Sequence, residues 1–239
     1  AKDKVLGVAK FVDDLSLPGM LYGAVLRSPV PRGLVKKIDV SEAKAMEGVE
    51  AVITWRDIPG KRIVGHLVQD WPVLVAEGEE TRYVGDALAL VAARDVHIAR
   101  EAVKRIKVDI EELKPLLTPE EALAPDAPKI HPWGNKVEVK THVKRGDVDE
   151  ALAKSAHVVT RVYKTQRVDH AFMEPESALA EVVDDGIVVY TGGQGVYDEN
   201  RQISAMLGIP AEKVRCITAM VGGGFGGKED MSVQHHAAL

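Results

Sequence analysis

Val221-Gly222-Gly223-Gly224-Phe225-Gly226-Gly227-Lys228-Glu229 is the stretch around which the reading of this chain turns. Glycines without a Cβ let the backbone enter positive φ and let another group come close to the amide N–H. A β-rich run, Val214-Arg215-Cys216-Ile217-Thr218-Ala219-Met220-Val221, leads into the loop, and the residues from Glu229 to Leu239 read as a helix. A strand, a glycine loop and a helix N-terminus in that order make an anion site. Two nucleotide patterns fit the glycines in part. Gly222, Gly227 and Lys228 have phosphate-loop spacing, but Glu229 stands where a magnesium-holding Ser or Thr belongs, and its charge repels phosphate. Gly222, Gly224 and Gly227 fit the dinucleotide fingerprint, which needs an acidic residue about 20 positions on, and the chain stops before that. A glycine-rich turn with no ligand is the remaining alternative.

Composition narrows the class. The chain has 239 residues, enough for one large or two small domains, and its 46% hydrophobic and 28% charged content is that of an ordinary globular protein. No apolar run reaches the roughly 18 residues of a membrane span. Ala1-Lys2-Asp3-Lys4 lacks the basic-then-apolar order of a signal peptide. The net charge of −5 falls entirely after Pro115, so neither part is the basic surface that binds nucleic acid. The single cysteine, Cys216, rules out an internal disulfide and an iron–sulfur cluster built from this chain alone. A cytoplasmic location is expected.

Upstream of the loop, Ala178–Val183 and Ile187–Thr191 flank Asp184-Asp185-Gly186 as a hairpin. Gly192-Gly193-Gln194-Gly195 follows, then a helix from about Asp198 to Leu207 closed by Gly208. Asp147 starts a helix over Val148–Ser155, and strands are expected over Lys136–Lys144 and His157–Arg167. His170, Glu174 and Glu176 suggest a metal triad, but Glu174 precedes Pro175 and is biased to extended backbone, so a structural histidine is the default. Five prolines, Pro115, Pro119, Pro125, Pro128 and Pro132, mark residues 118–135 as a linker with one short helix, Pro119–Leu123.

In the first part, Gly7–Phe11 and Gly23–Arg27 read as strands bracketing a turn in which Asp13 and Asp14 accept local backbone bonds. A short helix starts at Ser41, and Ala51–Thr54 is a strand. Ala87-Leu88-Ala89-Leu90-Val91-Ala92 is a continuous apolar run and so a buried central strand. Asp95 caps a helix carrying Val96, Ala99, Val103 and Ile106, and Lys107–Glu111 returns as a strand. Strands and helices mix without strict alternation, so the expected class is α+β.

Gly222-Gly223-Gly224-Phe225-Gly226-Gly227-Lys228-Glu229 resembles the loop of the molybdenum hydroxylases, the xanthine dehydrogenase and aldehyde oxidase family. Further stretches resemble that family in the same order. They are Gly7–Asp14, Gly19–Pro29, Val84–Ala92, the linker end His131-Pro132-Trp133-Gly134-Asn135, and His170 with Glu174-Pro175. The resemblance implies an α/β hammerhead domain over 1–117, the linker over 118–135, and an incomplete mixed α+β molybdopterin-binding domain over 136–239. It implies oxidative hydroxylation of an aldehyde, a purine or another N-heterocycle with water as oxygen donor, at a molybdenum cofactor in the molybdopterin or cytosine dinucleotide form. Gln194, Gly224, Phe225, Gly226 and Gly227 would contact the cofactor and Glu229 would act on substrate, with no residue of this chain ligating the metal. FAD and 2Fe–2S centres would sit on other domains or subunits, alongside the remainder of the large subunit in an oligomer. A phosphate-binding module and a non-catalytic scaffold remain the rival readings. Val168 stands where the family commonly has a Gln two residues before the His of the His–Glu-Pro signature, which leaves a purine substrate unsecured.

Overall fold

The computed structural model describes residues 2–137 and 141–239. They fall into two compact units, one made of residues 1–116 with 170–239, the other of 117–169.

The larger unit opens with a short helix, α1 (Lys2–Val5). Gly7, at φ +69, ends it, and the strand expected over Gly7–Phe11 does not form. The chain instead makes a 3₁₀ turn over Val12–Asp14, with the Asp14 carboxylate accepting from the Phe11 amide at 3.1 Å. There follow β1 (Tyr22–Arg27), β2 (Gly33–Asp39), α2 (Ser41–Lys44), β3 (Val49–Ile53), β4 (Ile63–Val64), β5 (Trp71–Pro72), β6 (Glu80–Thr81), β7 (Ala87–Ala93), α3 (Val96–Val103) and β8 (Lys107–Glu112). The apolar run becomes β7, the centre of an antiparallel sheet ordered β1-β7-β3. Leu88 and Val91 on β7 enter one hydrophobic core, and Leu90 enters a second. Asp95 caps α3 by accepting from the His97 amide at 2.7 Å, and Ala99 and Ala102 bury the helix face. β2, which charge at Lys36-Lys37 hides from an apolar-run reading, pairs antiparallel with β6 and β8.

The smaller unit holds α4 (Pro119–Ala122) and α5 (Val148–Lys154). Thr118 accepts from the Glu121 amide, the Glu121 carboxylate accepts in turn from the Leu117 amide, and Asp147 caps α5 through the Glu150 amide. His131 stacks on Trp133 at 4.8 Å, and the Asn135 side chain ties Ile130, Ala122 and Pro128 together. The strand expected over His157–Arg167 is absent. These residues are exposed and in no ladder, because alternation alone supplies no partner for the backbone groups. The expected strand over Lys136–Lys144 lies partly outside the described residues, and 136–137 and 141–144 are not strand.

The chain re-enters the larger unit with β9 (Ala178–Val183), β10 (Gly186–Thr191), α6 (Val196–Leu207), β11 (Val214–Thr218) and α7 (Gln234–Ala238). β9 and β10 form the expected hairpin. α6 then crosses over so that β11 lies parallel to β10, giving the order β11-β10-β9. Gly208 ends α6 in the left-handed region at φ +67. α7 is shorter than the helix expected from Glu229. The Gln234 side chain accepts from the Ser232 and Val233 amides, satisfying the backbone just ahead of it without helical turns. Val64 and Leu74 from the first part of the chain share a core with Ile187, Val189, Ile203 and Met206 from the last. The architecture is α+β.

Candidate cofactor site

Parallel neighbours β10 and β11 release their chains at the same edge of the sheet, which is where open sheets with crossover helices place their ligands. β10 runs out into Gly192-Gly193-Gln194-Gly195 and α6, and β11 runs out into the glycine loop. The two exits are tied together at their start by the Ala219 amide on the Thr191 carbonyl at 2.9 Å. They are tied again further out. The Gln194 amide donates to the Lys228 carbonyl at 2.9 Å, and Gln194 Oε1 accepts from the Gly226 amide at 3.1 Å and the Lys228 amide at 3.2 Å. Gln194 therefore holds the Gly226–Lys228 end of the loop by three bonds. Gly224 leaves the room that the Gln194 carboxamide fills, since a Cβ there would stand 2.4 Å from Gln194 Oε1.

The other side of the loop rests on His170–Glu174, a turn that contains Ala171 at φ 50. The His170 ring and Phe172 lie under Gly227, and Phe172 lies under Gly223. Glu174 Oε2 accepts from the Gly222 amide at 2.8 Å and from Lys228 Nζ at 2.9 Å. Both charges are buried, the Lys228 side chain 1% and that of Glu174 8% exposed. Lys228 Nζ also lies 4.6 Å from the centre of the Phe172 ring. This disfavours the phosphate-loop alternative, because the ammonium that would reach a phosphate is already inside the protein and paired.

Behind Gln194 sits a polar cluster that no sequence pattern marks. Thr191 Oγ1 accepts from the Gly193 amide at 2.8 Å and donates to Glu199 Oε1 at 3.2 Å. Gln234 Nε2 donates to Thr191 Oγ1 at 3.2 Å and to Glu199 Oε1 at 3.4 Å. Burial raises the Glu199 carboxyl above the usual carboxylate range, against the lowering effect of its Thr191 and Gln234 bonds. Cys216 on β11 is pushed up to about 12 by burial, with a smaller contribution from the Glu199 charge, so little of it is thiolate near neutral pH.

The expected site residues are thus brought to one edge. Gln194, Gly224, Gly226 and Gly227 are joined directly or through one bond, and Phe225 is the loop's outer tip at φ 54, 75% exposed. Glu229 is exposed, and its carboxylate makes no bond among the described residues. The suggested His170, Glu174 and Glu176 triad is not assembled. Glu174 turns to Lys228, Glu176 bonds Ser232 Oγ, and His170 packs on Gly227. Among the described residues no group of three His, Cys, Asp or Glu could hold a metal ion.

The loop can receive an anionic, ring-bearing cofactor. The amides of Gly223, Gly224 and Phe225 donate to nothing among the described residues. Phe225 presents an aromatic face, and Gly226, at φ +87, has open space where a Cβ would be. Residues 6–114 match the family model for the a/b hammerhead domain of aldehyde oxidase and xanthine dehydrogenase. Residues 130–239 match that of the molybdopterin cofactor-binding domain. The chain belongs to the xanthine dehydrogenase and aldehyde oxidase family of molybdenum hydroxylases. Among the family's proteins, the nicotinate dehydrogenase large molybdopterin subunit of Eubacterium barkeri is 42% identical over 238 residues, which are 99% of this chain and 55% of that one. A probable xanthine dehydrogenase subunit of Bacillus subtilis (strain 168) is 40% identical over 239 residues, 100% of this chain and 32% of that one. The aldehyde oxidoreductase structure from Desulfovibrio gigas superposes with a TM-score of 0.87 at 30% identity, over 99% of this chain and 27% of that one. The chain thus spans between about a quarter and about half of the length of these family members.

Proposed function

We propose that this chain is the N-terminal part of the large subunit of a molybdenum-dependent hydroxylase that oxidises an N-heterocycle, purine or aldehyde with water as oxygen source. The observation that carries the reading is the paired-loop cradle. Gln194 fixes the glycine loop, and beside it the Gly223–Phe225 amides have no partner among the described residues and the Phe225 ring is exposed. Residues 1–117 would be the hammerhead domain, 118–135 the strap, and 136–239 the first part of the cofactor domain. Identity of 40–42% to subunits named for nicotinate and xanthine dehydrogenases supports the heterocycle over the aldehyde.

The bound cofactor would supply the two-electron oxidation at carbon, which no side chain here can perform. The chain's own residues bind and orient. Gly224, Phe225, Gly226 and Gly227 shape the cofactor face of the loop, and Phe225 shields it from water. Gln194, whose carboxamide nitrogen donates to nothing among the described residues, is available to the pterin. Glu229 accepts a hydrogen bond from a ring N–H or offsets positive charge on the substrate. The remaining cofactor contacts would come from the rest of the large subunit, and electrons would leave through 2Fe–2S and FAD centres on partner domains or subunits.

The test is elemental analysis and turnover of the full-length protein purified with its partners. About one molybdenum per large subunit, with dye reduction on a pyridine carboxylate or purine, is expected. Molybdenum-free protein would leave the scaffold reading standing. Molybdenum with turnover of aldehydes only would move the substrate class.

A further inference from the structure

Glu174 and Lys228 are 54 residues apart in sequence and form a buried ion pair on the inner side of the loop. The same oxygen, Glu174 Oε2, also takes the Gly222 amide. One carboxylate oxygen thus gathers both ends of the loop, the amide of its first glycine and the side chain of its lysine. Glu174 Oε1 is buried with no partner among the described residues, and Gly192 lies close by, where a Cβ would stand 3.5 Å from it. Burying two charges is costly unless the pair is well formed, and removing one partner strands the other. Surface loops are normally shaped by turns and water. This one is held by a buried charge pair in addition to Gln194.

We propose that Glu174 and Lys228 are a positioning pair that sets the height and tilt of Gly222–Lys228, and with it the cofactor face of the loop. This rests on the function proposed above. Neither residue need touch cofactor or substrate, since both side chains are buried, Lys228 at 1% and Glu174 at 8% exposure. Gln194 holds the backbone of Gly226 and Lys228, and the ion pair holds the Lys228 side chain to the carboxylate that also takes the Gly222 amide. Without the pair the Gly226–Lys228 end would stay joined to Gln194, while the Gly222 end would lose its anchor.

The experiment uses the full-length subunit with its partners and compares Glu174→Gln, Lys228→Met and the double variant by amide hydrogen exchange. Both single variants should raise exchange across 222–229 roughly tenfold or more while peptides over 87–93 and 186–191 keep wild-type rates. Molybdenum content should fall with the same variants. The double variant, which leaves no lone buried charge, should lose less molybdenum than either single one. Wild-type exchange across 222–229 in both single variants overturns the proposal, and so does an equal rise in every peptide, which would mark a general loss of stability. If a single variant does not accumulate, the double variant decides by the same peptide. A wild-type protein that lacks molybdenum would sink the proposed function, and the exchange measurement would still judge the pair.

Discussion

Gly193 and Glu199 stand so close that a Cβ on the glycine would lie 1.7 Å from Glu199 Oε1. The glycine is the space in which the buried carboxyl reaches Thr191, and Gly193 sits next to Gln194. Gly193→Ala is expected to cost about 1–3 kcal/mol through overpacking and to displace Gln194 from the glycine loop. Chemical denaturation of the full-length protein measures the first effect. Adding Glu199→Ala should recover part of the loss, and a double variant no more stable than Gly193→Ala would show that the clash is not the cause.

Glu199 also predicts a pH dependence. Its folded-state affinity for a proton is raised above the ordinary carboxyl value of 4.5, mainly by burial. The folded state therefore binds more protons than the unfolded one above that value. The associated stability is fully present below it and is lost as pH rises through the folded pKa. Glu199→Gln removes the titration, so its melting temperature relative to wild type should climb as pH is raised from acid toward neutrality. A difference that stays flat would mean that Glu199 ionises as it does in the unfolded chain.

Gly60 is a second point where a glycine admits backbone. Its amide donates to the Met206 carbonyl at 2.8 Å, and a Cβ would lie 2.3 Å from the Ala205 carbonyl oxygen. This contact pins the C-terminal end of α6, whose N-terminal end starts just after Gln194. Gly60→Ala should destabilise by roughly 2 kcal/mol or more, because carbonyl groups of a helix cannot swing aside as a side chain can. Thermal or denaturant unfolding reads this, and a change within about 0.5 kcal/mol, the range of ordinary surface substitutions, would refute it.

Cys216 should be slow to alkylate. With its thiol pushed up to about 12 by burial, thiolate is scarce at mildly alkaline pH, and access is partial. Iodoacetamide should label it on the order of a hundredfold or more slowly than an exposed cysteine. Labelling at the rate of the denatured protein would contradict the burial.

Glu229→Gln keeps size and removes charge at an exposed position whose carboxylate makes no bond among the described residues. In the full-length enzyme it should leave molybdenum content and melting temperature at wild-type values and lower kcat/KM about 10²-fold. Unchanged turnover would remove Glu229 from the site.

Local chemistry was the readable part of this sequence. The apolar run of β7, the Asp95 and Asp147 caps, the β9–β10 hairpin and the Gly208 stop each carry their reason within a few residues. Where the reason is distant, the reading fails. β2 carries Lys36 and Lys37 exposed while Val35 and Ile38 are buried, a pattern broken by the register shift between Val35 and Lys37. The strand expected over His157–Arg167 has the alternation but no ladder. The glycine loop was legible because its glycines are contiguous. Among its supports, Glu174 was visible only in another role, as part of a metal triad, and Thr191, Glu199 and Gln234 are scattered along the chain and meet only after folding, so no spacing rule could find that cluster.

Because Val64 and Leu74 share one core with Ile187, Ile203 and Met206, the cradle is held by two stretches of chain that need not be covalently continuous. A single proteolytic nick between residues 141 and 169 should leave two pieces that co-purify and part only in denaturant. The same geometry makes the protein a candidate for split-gene complementation. Residues up to 116 and residues from 170 onward, with the rest of the large subunit, would be expressed as separate polypeptides and would find each other through that buried surface.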